Sequence, residues 1–305
     1  MPTGVCKKKV DFLVCSALRC AARGARGILI NNHAQNAQQI RAQVEALAPF
    51  FDFIGYDDLK ERLRSKPWKK PFCLMTFDDG AAINASETAP ELLRLGVPAV
   101  FYLVTGAMDG QTPFWFDRFR ALCQTTNPER LPTLSECKAM PWRIRDERLD
   151  QLCKTTGVDA DLTNPATRGM LWADAVRLQN DGFELGSHTI DHAILSVETT
   201  EEAARQITES VRQMKKQGLR CRTFAFPNGN AGPSLVEIAL GAGVESTVST
   251  VPVWLRKNDT LAYLPRLYLK DYADAFYIHK KTLVSRIGFV LKNPNGEGRQ
   301  YLLRP

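Results

Sequence analysis

Two adjacent carboxylates follow an apolar stretch of the chain, in the segment LMTFDDG at residues 74–80. Asp78 and Asp79 stand where a predicted buried strand gives way to Gly80. Like charges side by side repel each other, so the pair needs a nearby cation or a proton on one carboxyl group. A bound divalent metal ion would supply that charge. The pair therefore indicates metal binding or proton transfer at the end of a strand.

Two of the chain's four histidines, His188 and His192, lie in the segment GSHTIDHAIL, directly after the apolar stretch FELGS. If the residues after Ser187 turn helically, the i, i+4 spacing stacks both imidazoles on one face, within reach of a single ion. An Asp and two His form a facial set for zinc or a similar divalent ion, leaving positions for water and substrate. The alternative is an incidental capping or core pair, which the Asp pair on another strand end weakens.

A third predicted strand ends in TFAFPNGN, residues 223–230. Pro227 and Gly229 suit a fixed turn, in which the backbone N–H of Asn228 could face a developing oxyanion. Taken alone, such a pattern is more often just a turn. Asn228 is therefore a candidate only in combination with the other two strand ends.

Apolar, β-rich stretches alternate with helical patterns along the chain, which is the signature of a parallel α/β architecture. The sequence predicts seven strands: Gly27–Asn31, Phe50–Gly55, Phe72–Phe77, Ala99–Leu103, Phe183–Ser187, Arg222–Phe226 and Glu245–Ser249. It predicts five helices among them: Asn36–Leu47, Asn84–Leu95, Met170–Asn180, Glu201–Gln217 and Pro233–Ala242. In barrels built from βα units, the carboxyl ends of the strands share one mouth, where chemistry takes place.

The stretch from about residue 106 to 168 interrupts this alternation, with FWFDRFRALC followed by charged sequence punctuated by proline. We interpret 106–168 as a helical insertion between two βα units. Residues 1–26 are then an N-terminal helical extension, 27–270 the barrel and 271–305 a C-terminal tail.

The 305 residues are 44% apolar and carry a formal charge of +7, so we expect a globular chain with a sizeable core and a preference for anionic partners. The basic clusters lack the interleaved aromatic residues of a nucleic-acid groove, so no nucleic-acid partner is expected. Eight scattered cysteines without a C-x-x-C pair argue against a disulfide framework and against a cysteine zinc site.

The N-terminus carries Lys7 to Lys9 and then VDFLVCSAL, which is similar to the start of a signal peptide. Asp11 interrupts its apolar part and arginines follow at once, so an amphipathic helix touching a membrane surface is the preferred interpretation. No stretch approaches the ~18 apolar residues that a spanning helix needs. We expect a cytoplasmic protein, with peripheral contact to the inner membrane through the basic N-terminus as an option.

The motifs resemble those of the polysaccharide deacetylases with NodB homology, carbohydrate esterase family 4. TFDDG is similar to the first motif of this family, HTIDH to its second motif, H-S/T-x-x-H, and FAFPNG to a variant of its third, R-x-P-Y. GILINNHAQ, FWFDRF and LPRL are similar to stretches of a bacterial subgroup associated with exopolysaccharide synthesis. The resemblance runs from about Ile28 to Arg266 and implies a distorted (β/α) barrel with fewer than eight full units.

The resemblance also implies a role for each motif residue. Asp79, His188 and His192 would bind one divalent metal ion, zinc first, with cobalt, nickel or manganese as alternatives. Asp78 would be the base that activates a metal-bound water for attack on the acetamide carbonyl, with the Asn228 amide near the oxyanion.

The sequence departs from the family pattern at three places. Ala225 stands where the third motif often has an arginine, and Arg266 in LPRL is expected to supply the guanidinium beside Asp78. Asn228 replaces the usual tyrosine of that motif. The late L-x-x-H motif, whose histidine protonates the leaving amine, has no clear copy.

The general acid is therefore open among His33, His279 or neither. His33 ends the first predicted strand and is the stronger candidate for lining the mouth, as an acid, as a partner of Asp78 or as a substrate contact. Trp115, with Phe114 and Phe116, either stacks on a sugar ring or packs the insertion against the barrel.

The sequence thus predicts a metal-dependent hydrolase that removes N-acetyl groups from an amino-sugar polysaccharide or its precursor, with an N-acetylated glycan as partner. Two alternatives stay open. One is a metal-dependent amidohydrolase acting on a small non-glycan amide, and the other is a non-catalytic barrel that binds a glycan or another polyanion.

Overall fold

Eight parallel strands form one sheet in the computed structural model, which describes residues 14–18, 27–65, 68, 70–110, 112–255, 259–269 and 274–292. The strands are β1 (Gly27–Asn32), β2 (Asp52–Phe53), β3 (Phe72–Phe77), β4 (Ala99–Leu103), β5 (Glu184–Ser187), β6 (Thr223–Ala225), β7 (Ser246–Val248) and β8 (Leu267–Tyr268). All seven predicted strands are present. The sequence prediction missed β8, because two residues are too few to show a periodic pattern.

The order of the strands explains how the sheet closes. It is β7-β6-β5-β4-β3-β1-β8, with the short β2 paired to the start of β3. β8 pairs with β1, whereas Leu264, just before β8, forms a parallel bridge with Val248 of β7. The segment from Leu264 to Tyr268 therefore joins the two edges of the sheet. The predicted distorted (β/α) barrel is confirmed.

Side chains alternate along each strand between the barrel interior and the surrounding helices. The interior cluster, which includes Leu29 of β1, Leu74 of β3 and Val100 of β4, fills the inside of the barrel. The larger cluster, which includes Met75, lies between the sheet and the helices. Counting on by twos from Leu74 leads to Asp78, at the carboxyl end of the strand. On β1 the same alternation leads from Leu29, another interior residue, to His33. The pleat of the strands thus directs both polar side chains to the mouth.

Eleven helices flank the sheet within the described residues. They are α1 (14–18), α2 (Ala37–Leu47), α3 (Tyr56–Arg64), α4 (Ala89–Leu95), α5 (Trp115–Thr125), α6 (Leu134–Ala139), α7 (Trp142–Thr156), α8 (Trp172–Asn180), α9 (Thr200–Lys216), α10 (Pro233–Gly241) and α11 (Ala275–Lys292). A turn of π-helix, Asn84–Thr88, leads into α4. The chain encodes α9 with particular clarity, because the Thr199 hydroxyl caps its first turn and acidic residues start it while lysines end it.

The sequence prediction also missed α3, which closes the amino-terminal end of the barrel. Its Leu59 and Leu63 enter the interior cluster, and the Tyr56 hydroxyl donates to Ser246 Oγ at 2.9 Å, at the start of β7. The lower end of the interior is therefore filled by side chains. The open end is the one with Asp78 and His33.

The insertion comprises α5, α6 and α7, and α5 packs on α7. Its buried side chains form a small hydrophobic cluster of their own: Trp115, Leu122, Cys137 and Leu149. It also contacts the barrel, since Lys138 Nζ donates to Asn228 Oδ1 at 2.9 Å and the Trp142 indole donates to Glu202 at 2.6 Å. The insertion therefore builds one wall of the mouth.

Near the chain ends, α11 packs against α2. The basic residues 7–9, on which the expectation of membrane contact rests, lie outside the described residues, as do 19–26 and 293–305. Within the described residues, no helix combines the length and the apolar character that crossing a bilayer requires. The division into extension, barrel and tail stays a prediction.

Gly186 of β5 tests the packing of the barrel interior. An added Cβ there would lie 2.6 Å from the Thr223 carbonyl oxygen and 2.6 Å from the Tyr102 ring. We expect Gly186→Ala to lower the free energy of unfolding by about 1–3 kcal/mol, the usual cost of overpacking. Urea unfolding checks this value. The control is Gly241→Ala in α10, where nothing lies within 4 Å, and equal stability of the two variants would contradict the packing described here.

Candidate active site

The end of β3 turns both aspartates toward the mouth. Neighbouring side chains of a regular strand face opposite sides of the sheet. Asp78 still continues the ladder, donating its backbone N–H to Asn32 O at 2.8 Å, but Asp79 and Gly80 both adopt left-handed backbone angles, with φ of 74° and 75°. Such a conformation is uncommon for a residue other than glycine and is found mainly where function requires it. The break in the strand is therefore what allows two adjacent carboxylates to share one site.

Asp78 forms a bidentate ion pair with Arg266. Arg266 Nη1 donates to Asp78 Oδ1 at 2.6 Å, and Nη2 donates to Oδ2 at 2.7 Å. The guanidinium is completely buried and also donates to Thr76 Oγ1 and to the Ser249 carbonyl, each at 3.0 Å. Burial opposes ionisation of Asp78, but the charge and hydrogen bonds of Arg266 outweigh it, so the pKa of Asp78 is lowered. Asp78 is therefore a carboxylate at neutral pH.

The HTIDH segment is a loop, so the helical turn expected after Ser187 is wrong. Thr189 and His192 have φ of 70° and 49°, which no α-helix contains. The Gln206 side chain of α9 fixes the loop, because its Oε1 accepts from the backbone N–H groups of Ile190 at 3.0 Å and Asp191 at 3.1 Å. The two histidines nevertheless converge, with ring centroids 4.9 Å apart.

Asp79, His188 and His192 offer ligand atoms that all lie within 4.8 Å of one another. Asp79 Oδ1 is 3.6 Å from His188 Nε2 and 3.4 Å from His192 Nε2, and it is a buried oxygen without a hydrogen-bond partner. Donor atoms on a tetrahedral zinc ion, with bonds of about 2.1 Å, lie about 3.4 Å apart. A buried carboxylate oxygen next to two imidazole nitrogens at this spacing fits a divalent cation.

His188 turns one ring nitrogen toward Asp79, as a metal ligand would. Its Nδ1–H donates to the Ala225 carbonyl at 2.7 Å, so the lone pair of the neutral ring is on Nε2, the atom nearest Asp79. Ala225 thus contributes its backbone to this site, although its side chain cannot replace an arginine.

Burial sets the charges of the three candidate ligands. It raises the pKa of Asp79 to about 7, and the neighbouring Asp78 charge adds to that rise. It lowers the pKa of His188 to about 4 and that of His192 well below its usual value. Both imidazoles are therefore neutral near pH 7, as metal ligation requires, and Asp79 gains most from a cation.

His192 is in contact with the insertion. The Trp115 indole N–H donates to His192 Nδ1 at 3.0 Å, and the guanidinium of Arg145 lies 4.3 Å from the centre of the Trp115 ring. A neutral imidazole that accepts at Nδ1 carries its proton on Nε2, the atom facing Asp79. Ligation by His192 therefore requires this proton to leave Nε2. Trp115 is only 4% exposed, so its contacts favour packing over stacking on a sugar.

The structure separates the two histidines considered as general acid. His33 is half-buried and directly follows β1, where the alternation of the strand directs its side chain to the mouth. His279 lies on α11, where its Nε2–H donates to the Ala46 carbonyl at 2.7 Å, near the end of α2. That end of α2 is at the amino-terminal side of the barrel, so His279 is remote from the mouth.

Asn228 is exposed at the end of β6 with φ of 59°. Its side chain accepts from Lys138, and its carbonyl accepts from Thr250 Oγ1 at 3.1 Å. Its role beside an oxyanion stays a prediction.

Sequence reasoning missed three residues that build the site, namely Thr76, Arg145 and Gln206. Thr76 precedes Asp78 by two positions, so the strand alternation could have indicated it. Arg145 and Gln206 lie in helices among other polar residues, and no local pattern distinguishes them.

Comparison with known proteins agrees with this geometry. The family model for polysaccharide deacetylase matches residues 65–247, more than half of the chain. The protein belongs to the polysaccharide deacetylase family, and the resemblance seen in its motifs is confirmed. No curated protein sequence matches the chain significantly.

Several solved structures share the fold. IcaB from Ammonifex degensii is 16% identical with a TM-score of 0.59, over 86% of this chain and 98% of that chain. The BpsB deacetylase domain from Bordetella bronchiseptica is 15% identical with a TM-score of 0.57, over 81% and 97%. The deacetylase PplD from Streptococcus pyogenes, solved with acetate, is 13% identical with a TM-score of 0.56, over 85% and 97%. At these identities the likeness establishes the fold.

Metal binding tests the candidate ligands. We expect about one equivalent of Zn²⁺ or Co²⁺ per chain, and loss of most of it in Asp79→Asn.

Because the pKa of Asp79 is raised to about 7, the carboxyl is protonated below that pH and must release a proton to bind metal. The affinity should then fall about tenfold per pH unit below 7. Calorimetric titration at several pH values measures it, with Asp159→Asn, an exposed carboxylate in the insertion, as control. Equal metal content in Asp79→Asn and wild type would contradict the assignment.

Trp115→Phe tests the contact between the insertion and His192. The variant keeps an aromatic ring and removes the indole donor that favours a proton on Nε2 of His192. We expect Co²⁺ affinity to rise about fivefold, the worth of one neutral hydrogen bond of ~1 kcal/mol. Trp142→Phe is the matched control, since that indole donates to Glu202 instead. Weaker metal binding in Trp115→Phe would show that the indole holds His192 in place for the metal.

Proposed function

We propose that this polysaccharide deacetylase is a metal-dependent hydrolase that removes N-acetyl groups from an amino-sugar glycan. The observation that carries the proposal is one ionised carboxylate, Asp78, held by Arg266 beside a second carboxylate, Asp79, that lies between two neutral imidazoles. Zinc is the proposed metal, with cobalt, nickel or manganese as alternatives, since imidazole and carboxylate suit such ions.

Asp79, His188 and His192 would bind the metal ion, which supplies Lewis acidity toward the amide carbonyl and toward a water molecule. Asp78 is the proposed base. Its Oδ2 is 4.0 Å from His188 Nε2, so a proton acceptor stands next to the proposed metal ligands. Each carboxylate oxygen keeps a second lone pair beyond its bond to Arg266, so Asp78 can still accept a proton.

Arg266 is proposed as a positioning residue for this base. It binds both oxygens of Asp78, which fixes the orientation of the carboxylate, and it keeps the group ionised. Asp78 can therefore take a proton at neutral pH without first losing one of its own.

His33 and Asn228 have proposed roles at the rim. His33, which follows β1 at the mouth, is proposed to meet the leaving amine or the sugar. The backbone N–H of Asn228 is proposed to face the amide oxygen as charge develops on it. Cytoplasmic location, with contact to the inner membrane through the basic N-terminus, stays a prediction from the sequence.

Asp78→Asn tests the base. The amide keeps the shape of the side chain but cannot take a proton, so we expect acetate release to fall about 10²- to 10⁴-fold, the usual share of general base catalysis. Metal content should stay at the wild-type level. Acetate is measured across N-acetylated oligosaccharides and small amides, with Asp159→Asn as control. Unchanged acetate release in Asp78→Asn would remove the base from the scheme, and release from small amides alone would replace the glycan as substrate.

A further inference from the structure

Tyr268 occupies an interior-facing position at the carboxyl end of β8. Its Cα partner across the sheet is Asn31 of β1, and Asn31 in turn partners Thr76 of β3. Partners in parallel strands point to the same face. Because Thr76 contacts the guanidinium of Arg266, the side chain of Tyr268 faces the side of the sheet on which the proposed site lies.

The alternation along residues 266–268 agrees with this placement. Arg266 faces the interior and is completely buried, whereas Leu267 belongs to the core cluster under the helices. Tyr268 returns to the side of Arg266, about 7 Å farther toward the mouth. Arg266, which holds Asp78, and Tyr268 thus lie two positions apart on one face of the segment that ends in β8.

Tyr268 is exposed, unlike the residues around it. It is 38% exposed. The other large hydrophobic side chains that are exposed in the described part of the chain are all aliphatic. Its ring meets His33 edge to face, with centroids 5.5 Å apart. In the insertion, Phe114 and Trp115 are buried instead, and Phe116 is half-buried with its ring 5.2 Å from that of His192. Within the described residues, Tyr268 is therefore the most exposed aromatic ring at the mouth, and it lies next to His33.

An amino-sugar ring suits such a surface. A pyranose has a face of C–H groups that is apolar, and hydroxyl groups at its edge that stay solvated. A tyrosine at a wet rim has the same division, with an apolar ring and a polar tip. Contact between the two faces removes apolar surface from water without burying an unpaired polar group.

We propose that Tyr268 stacks on the sugar ring that carries the acetamide and so makes the site selective for a pyranose over a small amide. The inference rests on the proposed function. Tyr268 binds the ring, while the acetamide group on that ring reaches Asp78 and the metal ligands. The ring face of Tyr268 contributes to binding, and its hydroxyl does not.

The test compares Tyr268→Leu, which keeps apolar bulk without an aromatic face, with Tyr268→Phe, which keeps the face without the hydroxyl. With an N-acetylglucosamine pentasaccharide, we expect Tyr268→Leu to raise KM about tenfold, in the range of an aromatic contact, with kcat within about twofold of wild type. Tyr268→Phe should match wild type. Leu171→Ala, another exposed apolar side chain, is the control and should change neither value.

Three results would overturn the inference while leaving the proposed function intact. They are an unchanged KM in Tyr268→Leu, an equal loss in Tyr268→Phe, and a loss confined to kcat. The last would assign Tyr268 to holding His33. Metal content and melting temperature, measured on each variant, should equal those of wild type.

A binding measurement separates this inference from the proposed reaction. Calorimetry compares the affinity of Asp78→Asn and of Asp78→Asn/Tyr268→Leu for the same pentasaccharide, without turnover. About tenfold weaker binding in the double variant supports the stacking role even if no acetate is released. Equal affinity, or no binding by either protein, overturns it.

Discussion

The buried ion pair between Asp78 and Arg266 connects the closure of the barrel with its chemistry. Arg266 comes from the segment that joins the two edges of the sheet, and Asp78 comes from the end of β3. Burying two charges is costly, and only bidentate geometry with further hydrogen bonds compensates for it. Thr76 and the Ser249 carbonyl supply those bonds. Replacing either residue by an apolar one would leave the other charge buried and unpaired, so closure of the barrel and ionisation of Asp78 support each other.

The same ion pair gives two neighbouring carboxyl groups different properties. Arg266 lowers the pKa of Asp78, whereas burial raises the pKa of Asp79 to about 7. One carboxylate is stabilised by a cation of the protein, and the other lies where a cation from solution would stabilise it. Left-handed backbone at Asp79 and in the HTIDH loop is the conformational cost of bringing these groups together.

The helical insertion belongs to the site as much as the barrel does. Its Trp115 contacts His192, its Arg145 lies over the Trp115 ring, and its Lys138 holds the side chain of Asn228. Away from these contacts, Tyr268 presents an exposed aromatic ring beside His33. The mouth thus combines a packed wall beside the candidate metal ligands with an exposed rim on the side of β8.

The sequence by itself determined the alternating α/β pattern, the strand ends that carry Asp78, Asp79, His188 and His192, and the family. These features follow from local periodicity and residue type, which any stretch of chain displays. The likeness of LPRL to stretches of the family led to the expectation that Arg266 lies beside Asp78. Only the tertiary structure decided that the two residues, 188 positions apart, form a bidentate pair supported by Thr76 and the Ser249 carbonyl. It also decided that Gln206 holds the HTIDH loop, that Trp115 meets His192 and that His279 lies away from the mouth. Those contacts join residues that the chain brings together only when the sheet closes, so no local pattern contains them.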